Sequence, residues 1–174
     1  GWAWHLLLRP VAPHRFWAAQ EANLVGSAVN YVSVAVIGEA ARVRFLATRE
    51  AVPVPAAVAS VVWTRAMEAI GLAIFILAGG LLLPVPALVR GAEIGAAVLL
   101  AALLGLVWFR GWKDLPAWIP GPLRRAASIF GEIGSWRRIP GPLFLALANW
   151  IGQWATYHLT IAATGIPTSF AASF

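Results

Sequence analysis

The sequence predicts an all-α, polytopic integral membrane bundle with a re-entrant segment and an interfacial amphipathic helix. Three observations predict it. Of 174 residues, 60% are hydrophobic and only 11% charged, whereas a soluble domain carries about 25% charged residues. The mean hydropathy is +0.77. The charges also fall between long uncharged stretches, and residues 139–174 hold no formal charge in 36 positions. So few charges cannot clothe an apolar core of this size in water, and a bilayer removes the need.

The net charge of +6 comes from 12 Arg and one Lys against seven acids. No stretch interleaves basic residues with aromatics as a single-strand groove would, so no nucleic acid is expected as a partner. The ten Trp stand at the ends of apolar runs, where interfacial belts form. There is no cysteine, hence no disulfide framework and no thiolate metal site. His5, His14 and His158 lack metal-ligand spacing, and neither metal nor other cofactor is expected. No phosphate-cradling glycine loop or nucleophile elbow is present.

Along the chain, the expected arrangement is a single transmembrane domain that is part of a longer one. Residues 1–8 read as the end of a helix stopped by Arg9 and Pro10. Residues 22–38 form an uncharged stretch of 17 residues, short for a span needing about 20 apolar residues and polar through Asn23, Asn30 and Ser33. This stretch either spans or re-enters, and re-entry is the reading adopted. Spans are expected over 56–89, 94–109 and 143–163, with the start of another over 167–174. The pentapeptide Ile-Pro-Gly-Pro-Leu occurs at 119–123 and again at 139–143, and Pro at a first helical position makes both copies helix starts. The first copy opens an amphipathic helix over 122–138, expected to lie flat on the membrane. Packing of that helix on the protein is the alternative.

Arginine counting sets the topology. Residues 110–138 carry six basic side chains against two acids, which makes this loop cytoplasmic. Arg90 is then outside, and 39–68 is cytoplasmic again.

Chemistry is sought where charges lie close to the membrane. Glu39 with Arg42, and Arg65 with Glu68, each place an acid and an arginine three residues apart on one helical face. Arg65 falls about 15 Å into a helix starting near Pro55. A charge at that depth should face other helices and pair with an acid, Glu68 or Glu39. Arginine takes phosphate oxygens bidentately. Alternatively, Arg65 and Glu68 only mark a helix end, with Arg65 snorkelling to phosphate level. Asn23 and Asn30 are expected to hydrogen-bond between helices.

The run 30–42, Asn-Tyr-Val-Ser-Val-Ala-Val-Ile-Gly-Glu-Ala-Ala-Arg, followed by the alanine-rich 59–68 ending Thr-Arg-Ala-Met-Glu, resembles the flippase-like membrane domain of the lysylphosphatidylglycerol synthase family. Asn30, Gly38, Glu39, Arg42, Arg65 and Glu68 carry the resemblance. Val34 and Thr64 stand where many members have Pro and Glu. The resemblance implies a multi-pass domain of a bacterial or archaeal cytoplasmic membrane that binds or translocates polar lipids. The aminoacyl-transfer domain of that family is not among these residues. The expected headgroup ligands are Asn30, Glu39, Arg42, Arg65 and Glu68, with Gly26 and Gly38 allowing the re-entrant backbone. Membrane lipids, anionic or phosphate-bearing, are the implied partners, with a lipid-synthesising enzyme as a candidate second partner. A lipid-modifying transferase using Glu39 or Glu68 as base, or a non-catalytic scaffold, stay open beside translocation.

Overall fold

The computed structural model describes residues 1–33, 35–82, 87–108, 120–135, 137–167 and 169. Among them all regular structure is helical: α1 (Trp2–Leu8), α2 (Phe16–Val32), α3 (Ala35–Glu50), α4 (Val54–Leu82), α5 (Ala87–Trp108), α6 (Gly121–Ile133) and α7 (Pro140–Ala163). The chain divides into two compact units, residues 1–66 with 108–142 and residues 67–107 with 143–174. Helix α4 contributes to both. Its stretch Val54–Leu81 is, among the described residues, the one helix both long and apolar enough to cross a membrane.

In the first unit α2 and α3 form an antiparallel hairpin. Residues 22–38, expected as one stretch, are divided. Helix α2 stops at Ser33, whose backbone is extended (φ −147°) and whose hydroxyl donates to the Val29 carbonyl at 2.6 Å. The hydroxyl takes over a carbonyl at the helix end, and no proline or glycine is needed for the break. At the open end of the hairpin Arg15 Nε and Nη2 donate to Glu50 Oε1 at 2.8 and 2.7 Å, and the Arg15 backbone N–H donates to Glu50 Oε2 at 3.1 Å. Arg49 and Glu21 pair one turn further in at 2.9 Å. Helix α3 ends at Ala51, which takes a left-handed conformation (φ +53°), and Pro55 then sits in the first turn of α4.

The hairpin closes because small residues line it. Ala18, Ala19 and Ala22 are buried against Leu46 and Val43, and a Cβ on Gly26 would stand 2.8 Å from the Gly38 carbonyl oxygen. A Cβ on Gly38 would overlap Asn30 Oδ1 and the Gly26 carbonyl. Only glycine permits this approach of the two backbones.

Helix α6 begins at Gly121, where the interfacial helix is expected to open. It ends at Ile133, and its apolar face lies on α4: the Trp63 indole donates to the Phe130 carbonyl at 2.8 Å, the two rings stack at 4.6 Å, and Ile133 is fully buried. An amphipathic stripe serves protein or lipid equally, and here Trp63 supplies a protein partner. The side chains of Leu123, Ala126 and Trp136 lie outside the described residues, as do Arg110, Lys113 and Asp114 of the loop.

In the second unit α7 packs on α4 where Gly71 faces Ala146, 3.1 Å from where its Cβ would stand. The Trp150 indole donates to the Glu68 carbonyl at 3.0 Å, and Phe75 meets Trp154 edge-on. Thr156 and Thr160 return their hydroxyls to carbonyls one turn back. Ile94 and Val98 of α5 and Phe144, Ile151 and Leu159 of α7 are exposed. The start of a span expected over 167–174 lies outside the described residues except for Pro167 and Ser169.

Gly38→Ala should force α2 from α3 and cost about 1–3 kcal/mol. Gly95→Ala, whose Cβ meets nothing within 4 Å, should leave the thermal midpoint in detergent unchanged, and equal midpoints for both variants would refute the close crossing. The Arg15 hydrogen bonds hold the Glu50 carboxyl below its ordinary value of 4.5. A lowered folded value means that the contribution is complete above the ordinary value and disappears as pH falls through the folded one. The midpoint gap between wild type and Glu50→Gln should therefore be present at neutral pH and close in acid.

Candidate functional site

The first unit gathers its charges at Glu39. Arg42, one turn along α3, pairs with Glu39 Oε1 through Nη2, and Arg65 reaches the same oxygen from α4. Arg42 is buried, 6% exposed, while the Arg65 side chain is half-exposed. The buried arginine is thus on α3, and the α4 arginine, expected deep among helices, opens outward.

Arg42 is enclosed on its other sides. Its Nη1 donates to Asn23 Oδ1 on α2 at 3.2 Å, and its guanidinium carbon lies 5.5 Å from the Trp4 ring centroid, within cation–π range. Trp4 is fixed in turn, because its indole donates to Ser60 Oγ at 2.7 Å and Ser60 donates to the Ala57 carbonyl at 2.7 Å. A buried charge without such partners would cost several kcal/mol. Three buried polar atoms of the cluster nevertheless have no hydrogen-bond partner: Arg42 Nε, Glu39 Oε2 and Asn30 Oδ1.

An open groove of about 660 Å³ adjoins the cluster between α3 and the start of α4, lined by Val43, Val54, Val58, Val61 and Val62 with Glu39 and Arg44 at its polar margin. It is almost devoid of hydrogen-bonding groups.

The structure brings Glu39, Arg42 and Arg65 together, and sets Asn30 against Gly38 at the crossing where Gly26 also lies. Glu68 belongs to the second unit, half-buried beside Trp150. Sequence reasoning gave Asn23 an interhelical hydrogen bond without its arginine partner, and missed Trp4 and Ser60 altogether. Those two are 56 positions apart and show no periodicity that could link them. His5 and His14, unconnected by spacing, are hydrogen-bonded at 2.9 Å. Among the described residues no group of three or more His, Asp or Glu is placed to hold a metal.

A helical membrane domain with a buried, carboxylate-clamped arginine defines the class of protein. The family model described as "Lysylphosphatidylglycerol synthase TM region" matches residues 1–174, and the chain belongs to that family of integral membrane proteins. No curated protein and no solved structure matches it.

Ser60→Ala would leave the buried Trp4 N–H without an acceptor, and should cost about 1–3 kcal/mol. The double variant Trp4→Phe/Ser60→Ala should be less destabilised than the sum of the single changes, as read from thermal unfolding. Strict additivity would show that the bond does not brace the Arg42 site.

Proposed function

We propose that this protein binds and translocates a polar lipid bearing a phosphate, with Arg65 and Arg42 as headgroup ligands. The observation that carries this reading is Arg42: it is buried, held on three sides, and keeps one N–H without a partner. A guanidinium so placed offers a fixed donor to an oxyanion at little cost of reorganisation. The half-exposed Arg65 would meet the headgroup first, with Glu39 and Asn30 at the inner wall and an acyl chain along the valine groove. Glu68, held beside Trp150, is left out of this headgroup set.

The α2–α3 hairpin suits a re-entrant element of a polytopic domain. Its open end joins Arg15 to Glu50, so both helices begin and finish at one level, and its closed end carries Asn30 and Ser33. Polar backbone ends at membrane depth are tolerated where protein or water lines them. A cytoplasmic side for the Arg15–Glu50 end follows from the arginine excess of 39–68 and 110–138.

Vesicles reconstituted with the protein and fluorescent anionic or zwitterionic lipids test the reading through dithionite quenching of the outer leaflet. Wild type should expose inner-leaflet lipid faster than empty vesicles. Arg42→Gln and Arg65→Gln, shown folded by circular dichroism, should each slow this at least about tenfold, the equivalent of one charged hydrogen bond. A rate equal to that of empty vesicles would refute translocation. Fast quenching indifferent to both arginines would refute the site.

A further inference from the structure

Helix α6 has two unlike sides. Toward the protein it sends Ala127, Ile133 and Phe130, the last stacked on Trp63, and Ile129 packs against the core of the first unit. The opposite side carries Arg124, Arg125, Ser128 and Glu132, which together span about 100° of the helix circumference. Both arginines and Glu132 are exposed. Arg137 and Arg138 follow beyond the helix end, exposed as well, and Arg138 Nη1 donates to the Glu132 carbonyl at 2.9 Å, which holds it against that end. From 121 to 138 four arginines thus stand against one acid. Elsewhere in the unit Arg15, Arg49, Arg42 and Arg65 each reach a carboxylate, whereas Arg124 and Arg125 reach none among the described residues. Glu132 lies two turns, about 10 Å, beyond Arg125.

An amphipathic helix at a membrane ordinarily enters it with its apolar side. In α6 that side is occupied by Trp63 and the core, so the charged side alone is left to meet a partner. Its charge calls for an anionic one. The chain passes from Arg138 almost directly into α7, whose 24 residues include no Asp, Glu, Lys or Arg, which favours a bilayer surface over a soluble acidic protein. We propose that the outer side of α6, with Arg137 and Arg138 beyond it, is an electrostatic contact for an anionic lipid surface. The contact works through charge, with no α6 side chain entering hydrocarbon. Each arginine at such a surface adds about fivefold in affinity. Salt removes the gain, because the screening length falls from about 10 Å at 0.1 M to about 3 Å at 1 M. This surface is distinct from the proposed headgroup site, which takes a single lipid at Arg42 and Arg65.

The chain has no cysteine, so Ser128→Cys offers one place for a fluorophore on the outer side of α6. The labelled protein is reconstituted in vesicles of phosphatidylcholine alone, or of phosphatidylcholine and phosphatidylglycerol in equal parts, each with a trace of phosphatidylcholine bearing a nitroxide on its headgroup. Quenching then reports how close the label stands to the headgroups. It should be stronger in the anionic vesicles and return to the phosphatidylcholine value at about 1 M salt. Arg124→Gln/Arg125→Gln, shown folded by circular dichroism, should shift the balance away from the surface by about fivefold for each arginine. Arg42→Gln/Arg65→Gln should leave the response to phosphatidylglycerol intact. Equal quenching in the two kinds of vesicle would overturn the proposal. Stronger quenching that survives high salt or the loss of Arg124 and Arg125 would do the same, since packing or apolar insertion would then place the label. A response abolished by Arg42→Gln/Arg65→Gln would assign it to the headgroup site and equally overturn the contact. Where Arg124→Gln/Arg125→Gln does not fold, the salt and lipid dependence of the labelled Ser128→Cys protein decides.

Discussion

One carboxylate oxygen, Glu39 Oε1, receives two guanidinium groups, and much of the first unit follows from that convergence. Arg42 lies inside the hairpin and can be charged there only if its carboxylate, the Asn23 amide and the Trp4 ring remain in place. Those partners come from three helices, so burying one arginine fixes α1, α2 and α3 relative to one another. Arg65 extends the same constraint to α4. The glycine crossing belongs to this constraint as well: with a side chain at Gly38, α3 would stand away from α2, and Asn23 would no longer reach Arg42.

How much of this was legible in the sequence depends on the range of the interaction. The Glu39–Arg42 pair could be read because three positions on a helix are one turn, and that geometry is local. The long apolar run of α4 could be read because bilayer thickness sets a length. Arg65 had two candidate acids at the sequence level, and the tertiary packing brings one of them, Glu39, to it from α3. The helix break at Ser33 carried no proline or glycine signal, so 22–38 read as one segment. Trp4 with Ser60, and Trp63 with α6, join positions whose separation carries no period. The partner of an amphipathic face cannot be read from the face itself, and for α6 the structure shows Trp63 as one such partner.

The second unit obeys a different rule. Its contacts are small residues in register, Gly71 on Ala146, and indole or hydroxyl groups returned to nearby carbonyls. In lipid there is no hydrophobic drive between helices, so close packing and internal satisfaction of polar groups must hold them. Exposed Ile, Val, Leu and Phe side chains would carry no penalty in hydrocarbon. Among the described residues the first unit holds a buried charged cluster, whereas in the second Trp150, Thr156 and Thr160 are single groups returned to carbonyls.

That contrast bears on whether the cluster is only a brace. A scaffold that oriented helices by charge would gain most from full pairing, since each buried polar atom left without a partner costs about 1–3 kcal/mol. Thr156 and Thr160 find partners within their own helix, whereas Gln20 Nε2 and Glu93 Oε1 are buried without one. Around Glu39, a donor on Arg42 and acceptors on Glu39 and Asn30 are unpaired within a few residues of one another. Such a concentration lowers stability and persists more readily where the missing partners are supplied by something that binds. The loose ends comprise both a donor and acceptors, so an oxyanion alone cannot satisfy them all. A phosphate would serve Arg42 Nε, the one donor among them.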